Sequence, residues 1–165
     1  MIDRTCARCA APVFPVYPRT WKFPLSKVPS HFLKDLKAII TLSGSKKIEK
    51  VVSKFCYGTY SNDWIFLSPY PKSYLVWEWR KGISPNYLIR YKQAGARVEE
   101  IKGGMQVVFN EISLKRFYLQ DVLMHEIGHH VDVDLRSTTF RKRENFAKWF
   151  ATEYGHRLLT PPSSE

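Results

Sequence analysis

The chain reads as a single α+β domain with a small, mostly antiparallel sheet, because three patterns succeed one another along it. Apolar residues recur at helical spacing from Ser30 to Phe55. Aromatic and β-branched runs dominate from Trp64 to Asn110, with one short helical stretch among them. Helical spacing then returns from Ser113 to Tyr154. No internal repeat interrupts this order. A chain of 165 residues, 44% apolar and 15% aromatic, can bury one core without staples.

Each element has its own signal. Residues 1–29 carry Pro12, Pro15, Pro18, Pro24 and Pro29 with little periodicity, which predicts an extended proline-rich leader; the domain then occupies 30–160. Phe32, Leu36, Ile39 and Ile40 predict a helix capped by Ser30 and ended before Gly44, and a second helix runs from Ser45 to Gly58 through Ile48, Val51, Val52 and Phe55. Trp64 to Ser68 and Tyr74 to Trp79 are expected strands. Ser84-Pro85 opens a short helix reaching about Gly95. Arg97 to Lys102 and Met105 to Asn110 flank Gly103-Gly104, a hairpin turn signal. Ser113 is the expected cap of a long helix running to about Val133. A last helix spans about Phe140 to Tyr154, before Gly155.

Composition narrows the classes. No run of 18 apolar residues is present, so no membrane partner is expected. Met1-Ile2-Asp3-Arg4-Thr5 lacks the apolar block of a secretory signal, which predicts a cytoplasmic location. Cys6 and Cys9 form a lone C-x-x-C and Cys56 stands apart; three thiols make no disulfide framework, and one pair is a weak metal signal. Lys plus Arg outnumber Asp plus Glu by 26 to 15, a formal charge of +11. Such an excess suits nucleic acid or a protein already seated on it, with a solvated basic surface as the plainer account.

The chemistry concentrates in Leu123-Met124-His125-Glu126-Ile127-Gly128-His129-His130, which contains H-E-x-x-H. Residues four apart on a helix share a face, so His125 and His129 aim two imidazoles at one point, with Glu126 beside it as a general base. At this chain's composition such a match arises by chance in roughly 1 of 120 sequences. Gly128, a poor helix former, marks where a second helix could approach closely. Zn2+ is the expected cofactor, and it needs a third protein ligand. A histidine six residues after His129, the metzincin arrangement, is missing, since that position is Leu135. Asp132, Asp134, Glu144 and Glu153 remain. The two aspartates lie too near His129 to fold back without breaking the helix, and Glu153 shares a face with Phe146, Trp149 and Phe150. Glu144 follows a break at Ser137 to Thr139, and Ala147 and Ala151 beyond it allow close helix packing, so it is the predicted ligand. Tyr154 and His156 are the candidates for steadying the oxyanion. His130 is expected to point away from the metal, and His31 to be structural.

H-E-I-G-H followed by Glu144-Asn145-Phe146-Ala147-Lys148-Trp149-Phe150-Ala151 resembles the gluzincins. The second stretch is similar to the E-x-x-A-N-x-F-A helix of the ImmA/IrrE family and the related minimal gluzincins. The resemblance spans about residues 104–155. It implies a zincin-like fold, a zinc metallopeptidase acting on a regulatory or DNA-associated protein, and a peptide substrate added to an edge strand at Met105–Asn110. One position departs: Lys148 stands where the family usually has Asn or Asp supporting a metal-binding histidine, and losing such support costs roughly 10- to 100-fold in affinity or activity. Asp121 or Asp132, on the active helix itself, could substitute. Two readings follow: a zinc endopeptidase, or a catalytically weak scaffold that binds nucleic acid or protein.

Overall fold

The computed structural model describes residues 22–42, 57–68, 76–79, 85–135 and 139–157. It is a mixed α+β arrangement with two three-stranded sheets in place of one. Helix α1 (Lys22–Lys27) comes first, and Val28 just after it is buried in the core with Leu25 packed alongside. A helix and a core residue therefore lie inside the segment expected to be an extended leader. The helix predicted from Ser30 is not formed. A single 3-10 turn (Ser30–Leu33) is followed by Asp35 at φ 62°, a left-handed conformation that a helix cannot carry forward. The β-branched Ile39 and Ile40 then enter strand β1 (Ala38–Thr41). Cys6, Cys9, Cys56 and the helix predicted from Ser45 lie outside the described residues, and Gly58 opens a strand instead of closing a helix.

Strand β3 (Trp64–Leu67) sits between β1, which it pairs in parallel, and β2 (Gly58–Ser61), which it pairs antiparallel. Ile39, Ile65 and Leu67 are buried in the core. β2 and β3 are joined by Asn62 and Asp63, both at positive φ (50° and 66°), with Ser61 opposite Trp64. That is the left-handed pair a two-residue hairpin turn requires. Lys37 Nζ lies 2.9 Å from Asp63 Oδ2, and the Tyr60 hydroxyl donates to Asp63 Oδ1 at 3.0 Å, so the turn is pinned from both sides.

In the second sheet, β4 (Val76–Trp79) and β5 (Arg97–Ile101) flank β6 (Gly104–Val108), all antiparallel. The turn is Lys102-Gly103, one residue earlier than expected, with Gly103 at φ 90° and Gly104 already paired with Ile101. The expected edge strand at Met105–Asn110 is corrected here. β6 is the central strand, because Trp77 pairs Val107 on one side while Val98 pairs it on the other. A strand paired on both sides has no row of main-chain groups left for an added peptide.

Helix α2 (Pro85–Gln93) forms as predicted, its Tyr91 ring buried against Phe109 and Phe117 at 5.7 and 5.5 Å. The cap of the long helix lies three residues before Ser113. Asn110 is the cap: its side chain accepts from Ser113 N at 2.8 Å while Ser113 Oγ accepts from Asn110 N at 2.9 Å. It continues as α3 (Glu111–Arg116), a π-helical stretch (Phe117–Val122) and α4 (Leu123–Leu135). Thr139 caps α5 (Phe140–Phe150), which passes into a second π-helical stretch (Ala151–Arg157). Gly155 does not end the helix as expected. A methyl group there would fall on the Gln120 carbonyl, so the glycine lets one π-helical stretch lie directly on the other. No helix among the described residues is long and apolar enough to cross a membrane.

Candidate metal centre

The centre is built by the close contact of α4 and α5. Gly128 makes it possible: a Cβ there would stand 2.7 Å from Ala147 Cα and 3.0 Å from Phe150 Cβ. The glycine and Ala147 thus remove the side-chain layer that normally separates two helices, as the sequence anticipates. Glu144, one turn before Ala147, is carried against the His125–His129 face. Glu144 Oε1 lies 3.1 Å from His129 Nε2, and Oε2 lies 3.7 Å from His125 Nε2. The two imidazoles stand edge to face, with ring centroids 4.8 Å apart at 87°. One ligand atom from each of the three residues falls within 4.8 Å of the others. Tetrahedral zinc with bonds of roughly 2.1 Å needs donors about 3.4 Å apart. The two carboxylate–imidazole distances fall either side of that figure, the full set of three atoms spreads up to 4.8 Å, and two imidazoles plus a carboxylate are a borderline donor set that zinc accepts.

Electrostatics suit the same role. Burial, reinforced by His129, pushes the His125 imidazole down to about 3. Burial also lowers His129, with the Glu144 carboxylate pulling the other way. Both rings are therefore held as neutral donors at pH 7, the form a metal binds. Glu126 is buried beside them, and that burial, with Glu144 nearby, pushes its carboxyl up to about 7 against a hydrogen bond from the Tyr60 main-chain N–H. β2 presses directly on this side chain, since a Cβ on Gly58 would stand 2.8 Å from Glu126 Cγ. Gly58 and Tyr60 carried no sequence signal for the site. Their place follows from a strand pairing that spacing within the strand does not reveal.

The other sequence candidates have contacts of their own. The Tyr154 ring stacks on Phe150 at 4.5 Å and meets Phe32 edge-on at 5.5 Å, an aromatic cluster between α5 and the 3-10 turn. His156 is buried with Nε2 3.7 Å from Asp121 Oδ1, on the π-helical stretch before α4. His156 is not one of the three residues in the metal-ligand cluster. His130 turns away, as expected: Nε2 donates to the Lys34 carbonyl at 2.8 Å and Nδ1 lies 3.2 Å from the Tyr60 hydroxyl. Asp132 is also turned away, 3.3 Å from Arg143 Nε, which ties α4 to the first turn of α5 just before Glu144. Glu153 lies half-buried on the second π-helical stretch. Lys148 is exposed, and its charge disfavours protonation of His125.

Compared with known proteins, the chain matches no family model, no curated protein and no solved structure. The geometry of the site separates the two candidate glutamates: Glu144→Ala is expected to lower zinc affinity by at least roughly 10-fold, the scale on which metal-site partners act, while Glu153→Ala leaves it unchanged. Titration against a chromophoric chelator measures both, and the reverse order would reassign the third ligand.

Proposed function

We propose that this chain is a zinc-dependent endopeptidase of the gluzincin type, with His125, His129 and Glu144 holding the metal and Glu126 as general base. The observation that carries the reading is the meeting of three donor atoms within 4.8 Å of one another, with a buried carboxylate beside them. The ligand side chains keep 15%, 15% and 26% of their surface open to solvent. A closed structural site would need a fourth protein ligand; the three found among the described residues, with solvent access, match a catalytic one. Zinc bound there supplies a Lewis acid for the scissile carbonyl and makes the attacking water more acidic. The remaining work falls to Glu126. A carboxyl poised near neutrality takes the proton from that water and later hands it to the leaving amine, while the Tyr60 N–H fixes the carboxylate's position.

The substrate class is a peptide segment of a protein, and the +11 charge favours a regulatory or DNA-associated one. Its path does not run along β6, whose two sides are filled. A second reading, a scaffold that binds nucleic acid or protein without turnover, draws on the face of α5, where Arg141, Lys142, Lys148 and Trp149 are all exposed. The intact Glu126 favours the first, because a base that is not a ligand has no use in a pure binding site.

The test is cleavage of an unstructured protein by the purified chain. The proposal expects cleavage that a chelator abolishes and added zinc restores. Zinc binding without cleavage would favour the scaffold reading, and no zinc binding at all would refute both metal-based versions.

A further inference from the structure

One enclosed charge beside the centre is not a ligand. Asp121 sits on the π-helical stretch one turn before His125 and is 1% exposed. Arg90, reaching across from α2, places Nε and Nη2 both 2.6 Å from Asp121 Oδ1. His156 approaches the same oxygen at 3.7 Å. The other oxygen, Oδ2, is buried and makes no hydrogen bond. His125 Nδ1 is in the same condition: buried, with no hydrogen bond. An acceptor and a donor thus go unsatisfied four residues apart on one continuous helix, where side chains share a face. Leaving a buried polar group unsatisfied is costly, so two such atoms on neighbouring turns favour each other as partners.

The chemistry of the ligand decides which ring nitrogen carries the proton. A histidine that donates through Nε2 must hold its hydrogen on Nδ1, and that hydrogen needs an acceptor to fix the ring. Lys148, one turn after Glu144, cannot accept it. Resting on the zinc reading above, we infer that Asp121, clamped by Arg90, is the positioning residue that receives the Nδ1–H of His125 and sets its Nε2 toward Glu144. The support for the metal histidine comes from inside the active helix and not from the glutamate helix. The guanidinium occupies one carboxylate oxygen and leaves the second for the imidazole. The π-helical stretch has a matching role, since it fixes the rotation of Asp121 relative to the turn that bears His125.

A purely structural role, an ion pair tying α2 to the long helix, makes different predictions. Two variants separate them: Asp121→Asn, and the double variant Arg90→Met with Asp121→Leu. The double variant replaces the ion pair by apolar groups of similar size, a swap buried pairs often tolerate. Two readouts apply to each: zinc affinity by chelator competition, and the tautomer of His125 in the metal-free protein by nitrogen-resolved NMR of the imidazoles. The inference expects the Nδ1–H tautomer in the wild type, its loss in the double variant, and zinc affinity lowered roughly 10- to 100-fold in the double variant, with a smaller loss for Asp121→Asn, which keeps an acceptor oxygen. Wild-type affinity and tautomer in a folded double variant would overturn it. A wild type that holds the Nδ1–H tautomer but binds no zinc would instead sink the peptidase reading while leaving the inferred Asp121–His125 pairing standing.

Discussion

Glu126→Gln is expected to abolish cleavage, retain zinc and stabilise the metal-free protein, three effects from one atom pair. The amide cannot accept the proton of the attacking water, and general bases contribute roughly 10²- to 10⁴-fold, so activity should fall by that factor. Zinc stays, because Glu126 is not among the converging ligands. The stability gain follows from the buried carboxyl. Its folded-state pKa is raised from 4.5 to about 7, so folding favours the protonated form. That contribution is complete below pH 4.5 and is lost as pH rises through 7. At about 1.4 kcal/mol per pH unit across that window, the wild type loses about 3 kcal/mol that a non-titrating glutamine does not. Glutamine can still accept from the Tyr60 N–H. Urea unfolding of the metal-free proteins at pH 5 and pH 8 checks this. Equal stability at pH 8 would mean that the carboxylate is better solvated than its burial implies, and cleavage within about 10-fold of wild type would assign the base elsewhere.

Gly128→Ala is expected to weaken both the fold and the centre. In an exposed helix the change would gain about 1 kcal/mol from helix propensity. Here the new methyl meets Ala147 Cα at 2.7 Å and Phe150 Cβ at 3.0 Å, which is backbone and core and not a flexible side-chain tip. Overpacking of this kind costs roughly 1–3 kcal/mol, so the net sign is destabilising. Relief requires α5 to move away from α4, and Glu144 rides on α5. Zinc affinity should therefore drop by roughly 10-fold or more, as for loss of a metal-site partner, although no ligand is altered. Chelator competition and thermal unfolding together test it. A more stable variant with unchanged affinity would show that the helices separate without dragging the glutamate.

The site was more legible than the scaffold around it. Two histidines four apart, a glutamate after a break and small residues at 128, 147 and 151 are local facts, and local spacing fixes which face of a helix each occupies. The segment from Ser30 misled because Phe32, Leu36, Ile39 and Ile40 satisfy helical spacing, while the deciding factors were a left-handed Asp35 and a partner strand more than twenty residues away. The same limit hid the position of β6: Gly103 announces its pairing with β5, but nothing near it announces β4. Ser113 carries a capping signal, but it is the returning half of a box whose first residue is Asn110. The π-helical stretches leave no period to find, and with them went the packing role of Gly155 and the company His156 keeps with Asp121.

The left-handed turn at Asn62 and Asp63 has a reach out of proportion to its size. Side chains alternate along a strand, so one residue inserted or deleted there would slide β2 against its neighbour and turn each of its residues to the opposite face. Tyr60 would no longer present the same amide to Glu126, and a bulkier neighbour than Gly58 would come to bear on it. Elsewhere on the surface a connecting loop can change length with little effect. At this corner, length itself is under constraint, and a solvent-facing bend with no chemistry of its own sets whether the proton acceptor is held in place.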